Sequence, residues 1–245
     1  CMNQRICSGL LLMTLLIKSH TVLGQFWFDV ALSGSAGSSF LTNSEIYQDT
    51  RIDIAPKVSS NFSLKIGLNF TETESIVLDA GVFNRNFHLI QKDLPNQGTL
   101  EQHMNFGYSG FRFLPMYRHT KDGSYVEIGP EFGNIKTQYF RDDANGQISN
   151  NTLFGSKSLR GAIGFGGYLL GNERVTLVAG MRLLYDFQDL RSEEAQQEKF
   201  PYQNYTDQSN SPFKAFDIQL SLELNVSLGF LVRSSCGRRQ LLFKW

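Results

Sequence analysis

The chain lacks most of the features that would make its class obvious. It has three cysteines in 245 residues, Cys1, Cys7 and Cys236. That number and spacing supports neither a disulfide framework nor a cysteine-based metal site. Neither sign of charge is in excess, since Lys plus Arg and Asp plus Glu are both 23. A nucleic-acid binder would carry a basic surplus, so no nucleic-acid partner is expected. Long apolar runs are also absent. The one candidate, Cys7–Ile17 (CSGLLLMTLLI), is shorter than the roughly 20 residues a membrane-spanning helix needs. A helical membrane protein is thereby excluded. Proline is scarce, at 6 residues, and histidine scarcer, at 4. No Cys/His spacing suits zinc and no Gly-rich loop links a strand to a helix, so no cofactor is expected.

Glycine and phenylalanine, in contrast, are plentiful, at 22 and 20 residues. Both suit twisted, closely packed strands. The N-terminus reads as a secretion signal. Arg5 precedes the apolar run, and Val22 and Gly24 satisfy the small-residue rule for cleavage before Gln25. Residues 1–24 are therefore expected to be a signal peptide.

Beyond it, apolar and polar residues alternate with period two, as in a strand with one greasy and one wet face. The clearest example is Phe216–Phe230 (FDIQLSLELNVSLGF). Phe216, Ile218, Leu220, Leu222, Leu224, Val226 and Leu228 lie on one side, with Asp217, Gln219, Ser221, Glu223 and Asn225 on the other. Eight such segments are predicted: Phe26–Phe40, Ile54–Phe70, Ile76–Ile90, His103–His119, Tyr125–Phe140, Leu159–Leu170, Arg174–Leu190 and Phe216–Phe230. Each is longer than the usual strand of about 5–6 residues and reaches the 9–11 that cross a bilayer. Long and short connections alternate strictly, as in barrels with short periplasmic turns and long extracellular loops. The predicted fold is all-β: an eight-stranded antiparallel up-and-down transmembrane barrel spanning 25–232.

The wet faces carry Asp29, Lys57, Lys65, Asp79, Arg85, Arg112, Glu127, Glu131, Arg160, Arg174, Arg182, Asp186, Asp217 and Glu223. An eight-stranded barrel is just wide enough for side chains to fill it, and acids mixed with bases can pair there. A lumen charge network of Asp29, Lys65, Arg112, Glu127, Glu131, Arg160, Arg182, Asp217 and Glu223 is therefore expected. A soluble lipocalin-like carrier has the same strand number but hides its apolar face inside.

Catalytic groups are sparse. His88 and His103 flank one predicted outer loop, and such a histidine beside a carboxylate could activate water. The same-face pairs Glu127/Glu131 and Asp217/Glu223 could be acid/base carboxylates or structural ion-pair partners. DDANG (Asp142–Gly146) lacks calcium-loop spacing and reads as a turn. The longest predicted loop, Arg191–Pro212, carries Phe200, Tyr202 and Tyr205. Amphipathic aromatics of this kind make good contact anchors, so this loop is the candidate surface for a protein partner.

TVLGQ at the end of the signal, the Gly-punctuated strands YVEIGPEFG (Tyr125–Gly133) and GAIGFGGYLLG (Gly161–Gly171), and the closing NVSLGF (Asn225–Phe230) resemble the small, PorT-like outer-membrane β-barrel proteins of Bacteroidota. The likeness covers nearly all of the mature chain, through motifs that any such barrel reuses. It implies a barrel in contact with outer-membrane lipid, handled during biogenesis by the barrel-assembly machinery, with Phe230 as the terminal aromatic. The chain departs from that pattern in a basic extension, 233–245, expected to be a periplasmic tail. The expected function is non-enzymatic: a structural, adhesion or secretion-assembly role through the outer loops. The alternatives are an outer-leaflet lipid hydrolase using His88 or His103, and a soluble periplasmic carrier of an apolar ligand.

Overall fold

A computed structural model describes residues 26–42, 52–92, 101–142, 146–148, 153–172, 174–197, 212–233 and 239–243. The elements are β1 (Phe26–Thr42), β2 (Ile52–Ala55), β3 (Lys57–Asn69), β4 (Glu74–Gln91), β5 (Gln102–Lys121), β6 (Ser124–Asp142), β7 (Gly146–Ile148), β8 (Lys157–Gly171), β9 (Val175–Asp186), a one-turn helix α1 (Glu193–Gln197), β10 (Lys214–Arg233) and β11 (Arg239–Phe243). Every pairing is antiparallel. β1 pairs with β3 on one side and with β10 on the other, closing a ring β1-β3-β4-β5-β6-β8-β9-β10. Each of the eight predicted segments supplies one ring strand, and closure leaves no free edge along the ring.

One end of the ring is tied by tight turns whose chemistry is local. Lys121 pairs with Ser124 across Asp122 and Gly123, whose φ angles are 50° and 78°. Two successive positive φ values make a two-residue hairpin turn that Asp-Gly accommodates and most pairs resist. The 70–73 turn is held by Thr71 Oγ1, which accepts from the Thr73 and Glu74 N–H groups. At 172–174, Asn172 Oδ1 accepts from the Arg174 and Val175 N–H groups in the same manner.

Four departures from the predicted layout have physical causes. The second predicted strand is broken at Pro56, which has no N–H to give a ladder. β2 instead pairs with the far end of β4, from Ile52↔Gln91 to Ala55↔His88. In β6, Ser109↔Thr137 is followed by Gly110↔Ile135, so Lys136 is a bulge. The extra residue switches the inward set from odd (Glu127, Glu131, Ile135) to even (Gln138) positions. The seventh strand stops at Asp186, beyond which the chain turns so that Leu190 is buried. Part of the predicted tail is itself a strand, with β11 pairing to β10 from Gly229↔Phe243 to Arg233↔Arg239. The signal peptide lies outside the described residues.

The orientation of the two faces changes along the strands. Around the ring a belt of large apolar side chains points outward and is exposed, including Leu32, Phe62, Leu64, Ile66, Val82, Phe111, Phe113, Val126, Ile128, Ile163, Phe165, Leu220, Leu222 and Leu224. Inside that belt lie charges. Above the belt, on the long ends of β4 and β5, the polarity inverts. Asn84, Asn86 and His88 face out while Phe83, Phe87 and Leu89 are buried; His103, Asn105 and Ser109 face out while Met104, Phe106 and Tyr108 are buried. The crossover follows the paired residues Ser60↔Asn84, Asn84↔Ser109 and Ser109↔Thr137.

Candidate functional site

The inward faces of the belt strands hold one connected ion network. Lys65 meets Glu223 at 2.5 Å, and Glu223 meets Arg118 at 3.1 Å. Arg118 also reaches Glu127 at 2.9 Å, and Glu127 reaches Arg182 at 2.7 Å. Arg182 continues to Asp79 (3.2 Å), Asp79 to Arg112 (3.1 Å) and Arg112 to Glu131 (3.1 Å). Glu131, Arg85, Asp217 and Arg160 then form a closed square, with contacts of 3.4, 2.6, 2.8 and 3.6 Å. Asp186 hangs from Arg160 at 3.2 Å. Here the ions touch off-axis: neither Arg160 Nε nor Asp186 Oδ1 forms an aligned hydrogen bond. Six bases alternate with six acids, and every one of these side chains is at most 8% exposed.

Equal numbers matter because an unpaired ion in so buried a place costs several kcal/mol. Apolar spacers separate the layers: Leu114 and Met116 between Arg112 and Arg118 on β5, and Leu184 between Arg182 and Asp186 on β9. Room for the side chains comes from glycine. A Cβ on Gly164 would lie 2.6 Å from Glu127 Oε1, and one on Gly180 would lie 2.2 Å from the Tyr125 hydroxyl. Arg118 stacks on the Tyr125 ring at 4.3 Å.

Eight of the nine network residues expected from sequence are members. Asp29 is not: it sits half-buried at the turn end of the lumen, where Asn69 donates to it at 2.6 Å. Among the described residues it has no ion pair. Asp79, Arg85 and Asp186, on the predicted wet faces, join the network. Arg174 is exposed at the 172–174 turn, and Lys57 bonds Asn105 on the outer surface. Arg118 was missed. It lies on the same face of β5 as Arg112, six residues on, and strict parity would have found it. The paired carboxylates Glu127/Glu131 and Asp217/Glu223 each contact at least one base.

Above the network the mouth is closed by aromatics. Phe83, Phe87, Phe106, Tyr108, Phe154 and Phe213 are buried together with Leu41, Ile52, Leu89, Leu153, Leu190 and Ala195. Tyr108 and Phe154 are 4.9 Å apart, and Phe87 stacks on Phe106 at 5.6 Å. Phe154 comes from the connection after β6. The Gln138 amide pins it from inside the ring, donating to Phe154 O and accepting from Phe154 N, both at 2.8 Å. The connection after β9 packs beside it: Gly155 N donates to Leu190 O and Ser192 N to Leu153 O. Ser192 Oγ caps α1 by accepting from Ala195 N. The start of the predicted Arg191–Pro212 loop is thus part of a lid rather than free polar chain. Its aromatic anchors Phe200, Tyr202 and Tyr205 lie outside the described residues. At the other end of the lumen, among Asp29, Lys65, Arg118 and Glu223, a cavity of about 30 Å³ remains, enough for one or two waters.

His88 and His103 do come together. Their rings share a hydrogen bond of 3.1 Å between Nε2 and Nδ1, on the outer face of the wall above the belt. No cluster of three or more metal-ligating side chains occurs among the described residues.

No protein-family model matches the chain, and no curated protein matches its sequence. Solved structures resemble it loosely. Neisserial surface protein A is 10% identical, covering 80% of this chain and 96% of that one, with a TM-score of 0.40. The outer membrane protein OprG from Pseudomonas aeruginosa is 13% identical, covering 83% and 95%, at 0.34. The outer membrane protease OmpT from Escherichia coli is 7% identical, covering 83% and 96%, at 0.37. Likeness at this level carries no argument about activity.

Proposed function

We propose that this chain is an integral barrel of a bacterial outer membrane, non-conducting and non-enzymatic, that anchors an outer wall and loops serving a structural, adhesion or secretion-assembly role. The observation that carries this reading is the polarity inversion along β4 and β5. A soluble carrier turns its apolar residues inward along the whole strand. Here the large apolar residues turn mostly outward through the belt, where Val77, Leu114 and Met116 are inward spacers among the charges, and turn inward as an aromatic cluster above the Asn84–Ser109 line. One strand can satisfy both patterns if its lower part meets hydrocarbon and its upper part meets water.

The sealed lumen supports the anchoring role. Among the described residues, twelve buried ions and an aromatic lid fill the lumen, and the apolar cavity of about 530 Å³ lies against the largely outward-facing Ile128, Pro130, Ile163, Leu183, Tyr185 and Phe187 of the wall. The lid and wall present a rigid surface on the side of the long connections. The histidine pair sits on that wall, bonded to itself, rather than in a cleft.

The test is fractionation with heat-modifiable gel mobility, followed by reconstitution in planar bilayers. The expected result is a detergent-requiring species whose mobility changes on boiling and which gives no conductance steps. Release into the soluble fraction without detergent overturns the membrane reading, and porin-sized steps overturn the sealed lumen. Unchanged processing of outer-leaflet lipid after replacement of both His88 and His103 separates the non-enzymatic reading from a hydrolase.

A further inference from the structure

The outer face of the wall has an uncompensated positive charge at one height. Above the crossover line, the outward residues of β4 are Asn84, Asn86 and His88, and those of β5 are His103, Asn105, Gly107 and Ser109. The matching part of β6 carries Lys136, Tyr139 and Arg141. None of these is acidic. Lys57 reaches across to this face, with Nζ donating to Asn105 Oδ1 at 2.7 Å. Lys57, Asn105, Tyr139 and Arg141 line a cavity of about 330 Å³. Among the described residues neither Lys57 nor Arg141 has a carboxylate partner, whereas the six lumen cations, Lys65, Arg85, Arg112, Arg118, Arg160 and Arg182, all do.

The cavity is braced for a fixed shape. The Tyr139 ring lies over Gly107, where a Cβ would come within 2.7 Å of it. Its hydroxyl donates to Asn86 Oδ1 at 2.7 Å, and Asn86 in turn donates to Val58 O at 2.6 Å. Two cations, an amide and a phenol ring therefore surround an open space that no protein group fills.

Its height identifies the occupant. Asn105 and Arg141 face each other across the β5–β6 ladder, as do Gly107 and Tyr139, two to four residues above Ser109. At about 3.3 Å per residue and a strand tilt near 40°, that is roughly 5–10 Å above the apolar belt. A bilayer places its headgroups in a layer about 5–8 Å deep beyond the hydrocarbon on each side. Resting on the membrane reading above, the geometry points to a lipid site in which Lys57 and Arg141 clamp the phosphate of an outer-leaflet headgroup while its acyl chains lie on the belt below. Arginine supplies a planar fork for phosphate oxygens and lysine a point charge.

The test uses the full-length barrel in detergent and native mass spectrometry. The probes are phosphatidic acid, diacylglycerol with the same chains, and inorganic phosphate. Wild type is expected to retain phosphatidic acid at least tenfold more tightly than diacylglycerol. The Lys57→Gln/Arg141→Gln variant loses that preference, and Lys57→Arg/Arg141→Lys keeps most of it. Equal retention by wild type and the Gln variant overturns the site. Inorganic phosphate that displaces the lipid at sub-millimolar concentration overturns the lipid as the occupant. Heat-modifiable mobility and insertion into phosphatidylcholine vesicles are recorded for each protein first. Insertion without headgroup preference overturns this site alone, and failure of wild type to insert overturns the membrane reading together with it.

Discussion

Arg182 on β9 touches Asp79 on β4 at 3.2 Å, although three ring strands lie between β4 and β9 in either direction. The contact crosses the full diameter, which is possible only because side chains fill the lumen. Removing Asp79 alone leaves Arg182 and Arg112 short of a partner, and truncating one member of a buried pair costs about 3–5 kcal/mol. Removing both Asp79 and Arg182 leaves Arg112 on Glu131 and Glu127 on Arg118. Asp79→Leu and Arg182→Met are each expected to lower the unfolding midpoint in detergent. The double variant should fall well short of the sum, with a coupling of about 1–3 kcal/mol. Strict additivity would show that the two ions do not depend on each other.

Leu222 is 55% exposed at the middle of β10 while its neighbour Glu223 is buried. On the proposed membrane reading Leu222→Arg places a charge in hydrocarbon, and it is expected to cost about 2–4 kcal/mol in lipid. Ser221→Ala, on the inward face, gives up only a bond to Gly180 O and should cost about 1 kcal/mol or less. Refolding titrations in phosphocholine vesicles compare the two. Equal effects would mean that the faces are assigned the wrong way round.

The crossover on β4 gives a sharper test, because Val82 and Asn86 are on the same outward face four residues apart. A nitroxide at Val82 is expected to be relaxed by oxygen, which concentrates in lipid. One at Asn86 should be relaxed by a water-soluble nickel chelate. A continuous trend from Val82 through Asn86 with no exchange of the two accessibilities would remove the proposed water boundary.

How much of this was legible in the sequence depends on whether parity survived along each strand. β10 keeps one register from Lys214 to Ser227, so Leu222 and Glu223 could be assigned to opposite faces from sequence alone. β6 does not, because Lys136 is inserted as a bulge, and the inward role of Gln138 was invisible for that reason. The polarity inversion also obscured β4 and β5. Phe83 and Phe87 share a face with Asp79 and Arg85, so the segment reads as poorly alternating although its geometry is regular. The pairing partners of Arg182 and Arg118 could not be read at all, since contacts across the ring depend on strand stagger rather than on neighbouring residues. The lid was hidden for a different reason: Phe154 and Ala195 lie in stretches with no period, and Leu190 ends a segment that reads as strand although the strand stops at Asp186. β11 was hidden in a segment whose basic composition suggested free chain.

The glycines of GAIGFGGYLLG, which marked this strand in the sequence, have a specific task at position 164. Gly164 faces inward, and a Cβ there would lie 2.6 Å from Glu127 Oε1 and 2.7 Å from Glu127 Cγ. Glu127 cannot swing aside freely, since Arg118 and Arg182 hold its two carboxylate oxygens. Gly164→Ala is therefore expected to overpack the lumen and destabilise the barrel by about 1–3 kcal/mol, despite adding only a methyl group and some strand propensity. Shortening the opposing side chain should relieve part of this. Gly164→Ala/Glu127→Asp is expected to be more stable than the sum of the two single changes, by thermal unfolding in detergent followed on gels. If Gly164→Ala proves neutral or stabilising, the glycine is not making room for Glu127, and the close packing of carboxylate against β8 is wrong.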